Sequence, residues 1–305
     1  MGRSLARWFE DAAMTVSDWT TREANALERK LADQLRDDLA RFASTAADQA
    51  PFWKETCEQL AHNAQSGDPR FFKRWPLIVA TMVYRTTPET IGMYRKLRSL
   101  PAWSNGLGAA AAGPSPGGGP IFVPNPRIDT AALHYATHLE HFRQVTGRSL
   151  LDHACILEFG GGYGGMCRFA DRLGFAGRYI IFDLPPVLAL QRYYLGLGGL
   201  SAEYAAEARQ VLCHSLADVS RFVQPGTALL STWALSEMPF ELRTQIEDFI
   251  SSQRSTAALF AYSKSWNGFD NLRYFEDLQA RHADGWTWRR TPIDDDRYYL
   301  VGQRL

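Results

Sequence analysis

The sequence predicts an α/β protein built on a doubly wound, mostly parallel sheet behind a helical N-terminal region. Three observations predict it. Past residue 130, short apolar runs of strand length alternate with single helices, the pattern of a parallel sheet covered on both faces. One of these runs ends in a glycine cluster that passes straight into a helix. Residues up to about 104 carry helical spacing instead.

In chain order, residues 17–48 are rich in Ala, Leu, Glu, Lys and Arg with apolar residues at helical intervals, and a Ser or Asp stands where a cap is needed. Further helices are expected at about 52–65, around "RFFKRWPLIVATMVY" and over "PETIGMYRKLRSL", where Pro88 suits a first turn. The stretch "GLGAAAAGPSPGGGP", residues 106–120, has no periodicity and few side chains to pack. It reads as a flexible linker in preference to a lid. The expected division is therefore a helical region at 1–120 and a second domain at 121–305.

Beyond the linker, "HYATHLEHFRQV" is helical, "ACILEF" is a strand, and "YGGMCRFADRLG" is a helix closed by Gly174. Strands follow at "RYIIFDLP", "QVLCHSL", "GTALLSTWAL" and "AALFAYSK", with helices at "PVLALQRYYLGLG", "FELRTQIEDFISSQ" and "NLRYFEDLQARHA". The end, "WTWRRTPIDDDRYYLVGQRL", reads as two strands around an Asp-rich turn that add antiparallel pairing at one sheet edge.

Composition narrows the function. Lys plus Arg equals Asp plus Glu, 33 each over 305 residues, so no global field draws the chain to nucleic acid or an anionic membrane. The four cysteines are scattered without a CxxC pair, which suits a reducing compartment. The first residues carry acids where a signal peptide needs an apolar core, and no apolar window is long enough to span a bilayer. The expected location is the cytoplasm. No metal-ligand spacing of the HxxxH or CxxC type is present, so no metal is expected.

The glycine cluster carries the chemistry. "ILEFGGGYGGMCRF" places five glycines in six positions, 160–165, after a strand and before a helix, which presents bare N–H groups and a positive helix end at the carboxyl edge of the sheet. Gly160, Gly162 and Gly165 satisfy G-x-G-x-x-G, and Asp183 ends the next strand 23 residues after Gly160, where ribose hydroxyls would need an acceptor. A dinucleotide is one reading. Glu158 opposes it, because a carboxylate two residues before the first glycine would face a pyrophosphate in a partly dry cleft. A ligand with an ammonium or sulfonium would instead gain from Glu158, and S-adenosylmethionine is such a ligand.

The spacing E-x-G-x-G-x-G, here Glu158, Gly160, Gly162 and Gly164, resembles the first motif of class I S-adenosylmethionine-dependent methyltransferases. "LEFGGGYGG", "FDLPPVLALQRYYL" and "STWALSEMP", in this order, are similar to the sugar O-methyltransferase family within that class, over roughly residues 130–270. The resemblance implies a seven-stranded sheet, S-adenosylmethionine as donor and methyl transfer to a carbohydrate hydroxyl, on a free, nucleotide-linked or lipid-linked glycan.

Each site residue has a second reading. Asp183 is a ribose acceptor or a helix cap. His214 and Ser215, after the third strand, face adenine or form a plain polar loop. Trp233 at the end of the fourth strand covers the methionine end of the donor or belongs to the core. Glu237 in "LSEMP" is the first candidate for the proton acceptor, with His214 and His138 in reserve; its alternative role is a helix-start acid. Asn267 and Asp270 bind hydroxyls or an ion, or form an Asn-Gly turn. Two other functions stay open: a dinucleotide-dependent oxidoreductase, and a catalytically silent methyltransferase-like module whose N-terminal helices bind a partner or a second copy of the chain.

Overall fold

The structure, a computed structural model, describes residues 23–42, 51–113, 115–205, 207–252 and 254–305. The chain divides into two compact units, Met1–Thr137 with Tyr193–Gly199, and His138–Arg192 with Leu200–Leu305. Among the described residues no helix is long and apolar enough to cross a membrane.

In the first unit, helix α1 (Ala26–Phe42) starts at a reciprocal cap: Glu28 N donates to Asn25 Oδ1 and Asn25 N donates to Glu28 Oε2, both at 2.9 Å. The Ser or Asp cap expected near residue 17, and residues 43–48 of the expected helix, lie outside the described residues. Helix α2 (Pro51–Ser66) follows. The segment expected as one helix around residue 76 is a 3-10 turn, Pro69–Arg74, and a short α3 (Pro76–Thr81), because Pro76 has no N–H to continue the ladder. Helix α4 (Pro88–Arg98) begins on Pro88 behind a Thr87–Thr90 capping box.

The Gly/Pro/Ala stretch is a correction to the sequence reading. It contains helix α5 (Gly108–Ala111), and its later glycines pack tightly against the 3-10 turn. Lys73 N donates to Gly117 O at 3.0 Å, and a Cβ at Gly117 would collide with the Phe72 ring. The absence of side chains, read as slack, is what permits the close approach of backbone to ring.

The second unit carries the sheet. Its strands are β1 (Cys155–Phe159), β2 (Arg178–Phe182), β3 (Ala202–Glu203), β4 (Gln210–Cys213), β5 (Thr227–Thr232) and β6 (Ser255–Ser263), then β9 (Trp286–Pro292) and β10 (Arg297–Arg304). Between β6 and β9 a small hairpin is formed by β7 (Ser265–Trp266) and β8 (Phe269–Asp270). The order across the sheet is β3-β4-β2-β1-β5-β6-β10-β9, parallel up to β6 and antiparallel at the last two junctions. This is the doubly wound, mostly parallel sheet that the sequence predicts. It has eight strands where the resemblance implies seven, the addition being the two-residue β3 at one edge.

The closing hairpin lies at the other edge, with its second strand inside. β10 buries Tyr299, Leu300 and Val301, whereas most of β9 is open to solvent, so the more apolar strand takes the two-sided position. Helices α6 (Thr130–Thr146), α7 (Gly165–Arg172), α8 (Pro185–Leu197), α9 (Leu216–Phe222), α10 (Ala234–Glu237), α11 (Phe240–Ser251) and α12 (Asn271–Arg281) complete the elements. Side chains of α9, α11 and α12 pack with Leu157, Phe159, Leu229 and Phe260 in one core. Strand alternation turns Glu158 to the opposite face of β1.

Candidate functional site

The strand order reverses at β1, whose neighbours β2 and β5 lead away in opposite directions, and open α/β sheets bind ligands at the carboxyl ends of such strands. The glycine turn stands there. Gly160, Gly162 and Gly164 all take positive φ, at 76°, 54° and 89°, and Gly164 starts α7. Their reasons differ. A Cβ at Gly160 would strike Ala234, the first residue of α10, and one at Gly161 would press on Ile181, Gln191 and Glu158. A Cβ at Gly162 would meet nothing within 4 Å. Two of the glycines thus serve the approach of neighbouring elements, and at Gly162 the side that a Cβ would occupy is open.

Beneath the turn, Glu158 is 1% exposed and accepts a hydrogen bond of 2.8 Å from the Tyr179 hydroxyl. Burial, with the nearby Asp183 adding to it, pushes its carboxyl up to about 8, against the opposing bond from Tyr179. Its place is under the backbone of the turn, close to Gly161.

Asp183, half-buried just past β2, accepts from Gly161 N at 2.9 Å, Leu184 N at 2.8 Å and the Gln191 amide at 2.7 Å. Burial still moves it up to about 7 against those three bonds. Gln191, fully buried, also donates to Gly162 O at 2.9 Å, so one amide ties the turn to the end of β2. Asp183→Ala would leave Gly161 N–H and the Gln191 amide short of an acceptor. Its unfolding free energy, measured by urea titration, is expected to fall by about 1–3 kcal/mol.

The remaining candidates follow the same sheet edge. Asp183 N donates to Cys213 O at 3.2 Å, which puts the turn after β4 beside it. In that turn His214 is exposed, and Ser215 caps α9 by accepting from Asp218 N at 3.1 Å. After β5, Trp233 is half-buried with φ 75° and ψ −45°, a strained conformation for a residue with a side chain. His138 and Arg297 flank its ring, at 6.4 Å and 5.8 Å from the centroid. His138 is buried with its Nδ1 2.7 Å from the Tyr299 hydroxyl. Glu237, at the end of α10, is half-buried, and burial alone raises its carboxyl to about 7.

Asn267 and Asp270 fall in the β7–β8 hairpin. Asn267 takes φ 46° in its turn, and Asp270 caps α12 through Arg273 N at 3.1 Å. Among the described residues no group of three or more His, Cys, Asp or Glu is arranged to hold a metal ion.

Three supporting residues were missed in the sequence, although each leaves a trace. Tyr179 lies two residues before Ile181, the register partner of Glu158, and so on the same face. Gln191 is a lone amide in the apolar run of α8. Arg243 falls in line with Ile246 and Ile250 on the buried side of α11.

No family model and no curated protein matches the chain. Solved structures similar to part of it include the methyltransferase domain of bacterial CtHen1, at 12% identity and a TM-score of 0.44, covering 56% of this chain and 97% of that one. A precorrin-6y C5,15-methyltransferase from Geobacter metallireducens GS-15 gives 13% and 0.41, covering 56% and 88%. The 16S rRNA methylase ArmA gives 15% and 0.38, covering 55% and 83%. All three scores are below 0.5.

Proposed function

We propose that the protein is an S-adenosylmethionine-dependent O-methyltransferase acting on a carbohydrate hydroxyl. The observation that carries the donor is the pair Glu158 and Asp183, two acids raised by burial beside a bare glycine turn, with no cationic side chain among the described residues lowering either one. A ligand that brings a positive charge to this edge stabilises both carboxylates; a pyrophosphate destabilises them. The residues fit the donor: Gly160, Gly162 and Gly164 would receive its amino-acid end, Glu158 would lie beneath the positive charge, and Asp183 would meet the ribose. Ser215 and Trp233 would border the adenine and methionine ends. The acceptor class rests on the resemblance of "LEFGGGYGG", "FDLPP" and "SEMP" to sugar O-methyltransferases.

Bound S-adenosylmethionine supplies an activated methyl group on a sulfonium. The protein's part is to align an acceptor oxygen with that methyl, exclude water and take one proton, and alignment by itself contributes roughly 7–11 kcal/mol in well-oriented reactions. With the donor bound, Glu237 would take the hydroxyl proton as the acceptor oxygen receives the methyl group. A carboxyl near 7 is half-ionised at neutral pH and well matched to that transfer. His214 is the second candidate acceptor.

Calorimetric titration with S-adenosylmethionine, S-adenosylhomocysteine and NAD tests the donor: both sulfur ligands are expected to bind and NAD is not. Binding of NAD alone would establish the oxidoreductase reading. Donor binding with no methyl transfer to any glycan, followed by mass spectrometry with labelled donor, would establish the silent module. Gly162→Ala is the sharper probe of the cradle. Its φ costs stability about 1 kcal/mol, yet the added methyl enters the open space and should weaken donor binding at least tenfold. The same reading holds residues 1–120 to be a helical appendage of a cytoplasmic enzyme and a surface for a second copy, which light scattering of the intact protein would detect as a dimer.

A further inference from the structure

We propose that Arg243 is a positioning residue for Glu237, its buried guanidinium gripping the two backbone carbonyls that bracket that glutamate. Nη2 donates to Ser236 O at 2.6 Å, Nε donates to Met238 O at 2.8 Å, and Nη1 donates to Asn271 Oδ1 at 2.7 Å. Arg243 is 1% exposed, and among the described residues no carboxylate pairs with it. Its charge is met by these acceptors and by the rings of Tyr274 and Phe269, at 5.1 Å and 5.4 Å from the guanidinium carbon.

Burial of an unpaired guanidinium is costly, and an apolar residue would fill the volume more cheaply. What an apolar residue cannot do is hold two carbonyls, two residues apart, in one plane. The need is local. Helix α10 has only four residues, too few to persist by itself, so the bearing of its last residue depends on bonds from outside. One of these enters at its start, where Leu235 N donates to Ser231 Oγ at 3.0 Å. Arg243 closes the other end. Through Asn271 it also joins this turn to the start of α12, directly after the β7–β8 hairpin.

The inference rests on the reading of Glu237 as proton acceptor, but its deciding readout, the titration of Glu237, does not depend on turnover. In protein labelled with ¹³C at the glutamate carboxyls, with the Glu237 signal identified by its loss in Glu237→Gln, the titration of Glu237 is followed in wild type, Arg243→Met and Arg243→Lys. The wild-type midpoint is expected well above the ordinary carboxylate range. In Arg243→Met it should fall by at least about one pH unit as the freed turn admits water, with a smaller fall in Arg243→Lys, while donor affinity stays within twofold and turnover drops at least tenfold. An unmoved midpoint in a folded variant overturns the proposal. So does loss of the fold in both variants, which would make Arg243 a stability residue. If the midpoint moves but Glu237→Gln turns over normally, Arg243 still positions the carboxyl and the proton-acceptor reading is what fails.

Discussion

Glu237→Gln is expected to lower turnover by about 10²–10⁴-fold while donor affinity barely changes, the span that general-base assistance usually covers. Glu237 leaves the carboxyl end of β5, on the short helix whose first residue, Ala234, abuts Gly160 of the glycine turn. Glu158 and Asp183 are already engaged, by the Tyr179 hydroxyl and by three N–H donors, on the β2 side of that turn. Burial sets Glu237 near 7, so the acid limb of the rate profile should fall through about that pH in wild type and vanish in Glu237→Gln. Steady-state kinetics with a glycan acceptor between pH 5 and 9 measures both. Normal turnover in Glu237→Gln with loss in His214→Ala would move the role to the histidine; normal turnover in both would leave alignment as the whole of catalysis.

Glu158→Gln is expected to make the ligand-free protein more stable at alkaline pH and to weaken donor binding there. A carboxyl raised from 4.5 to about 8 on folding corresponds to a cost of about 5 kcal/mol once it is fully ionised. Between those two pH values the folded state holds the proton and the unfolded state has lost it, so stability falls as pH rises through that window. Below about 4.5 both states are protonated and the cost is absent; above about 8 it is present in full. The glutamine variant lacks this slope, and its advantage should grow across the window towards that figure.

Donor binding should run the other way. A cation brought beside Glu158 favours the carboxylate, so wild-type affinity should rise from pH 7 to 9 with release of a proton, visible as a buffer-dependent heat. Glu158→Gln should show neither. Denaturant titrations at several pH values and calorimetry in two buffers of different ionisation heat provide the tests. Equal affinity and equal slopes in the two proteins would remove Glu158 from the donor site.

By itself the sequence determined the alternation of strands and helices, the parallel character of the sheet and the place of the glycine turn. These depend on local periodicity and on residue types whose backbone preferences act over a few positions. It did not reveal that the glycine-rich stretch at 106–120 is packed, that β10 lies inside β9, or that Gly160 and Gly162 are glycine for different reasons. Each of those depends on what arrives from elsewhere in the chain: Phe72 against Gly117, β6 beside β10, Ala234 against Gly160. The acids show the same division. Their places near the carboxyl ends of strands marked Glu158, Asp183 and Glu237 as candidates, but only the tertiary structure decided that the first lies under Tyr179, the second is bonded to Gly161 and Gln191, and the third ends a turn held by Arg243. A pKa is fixed by burial and by neighbours distant in sequence, and no spacing along the chain records either one.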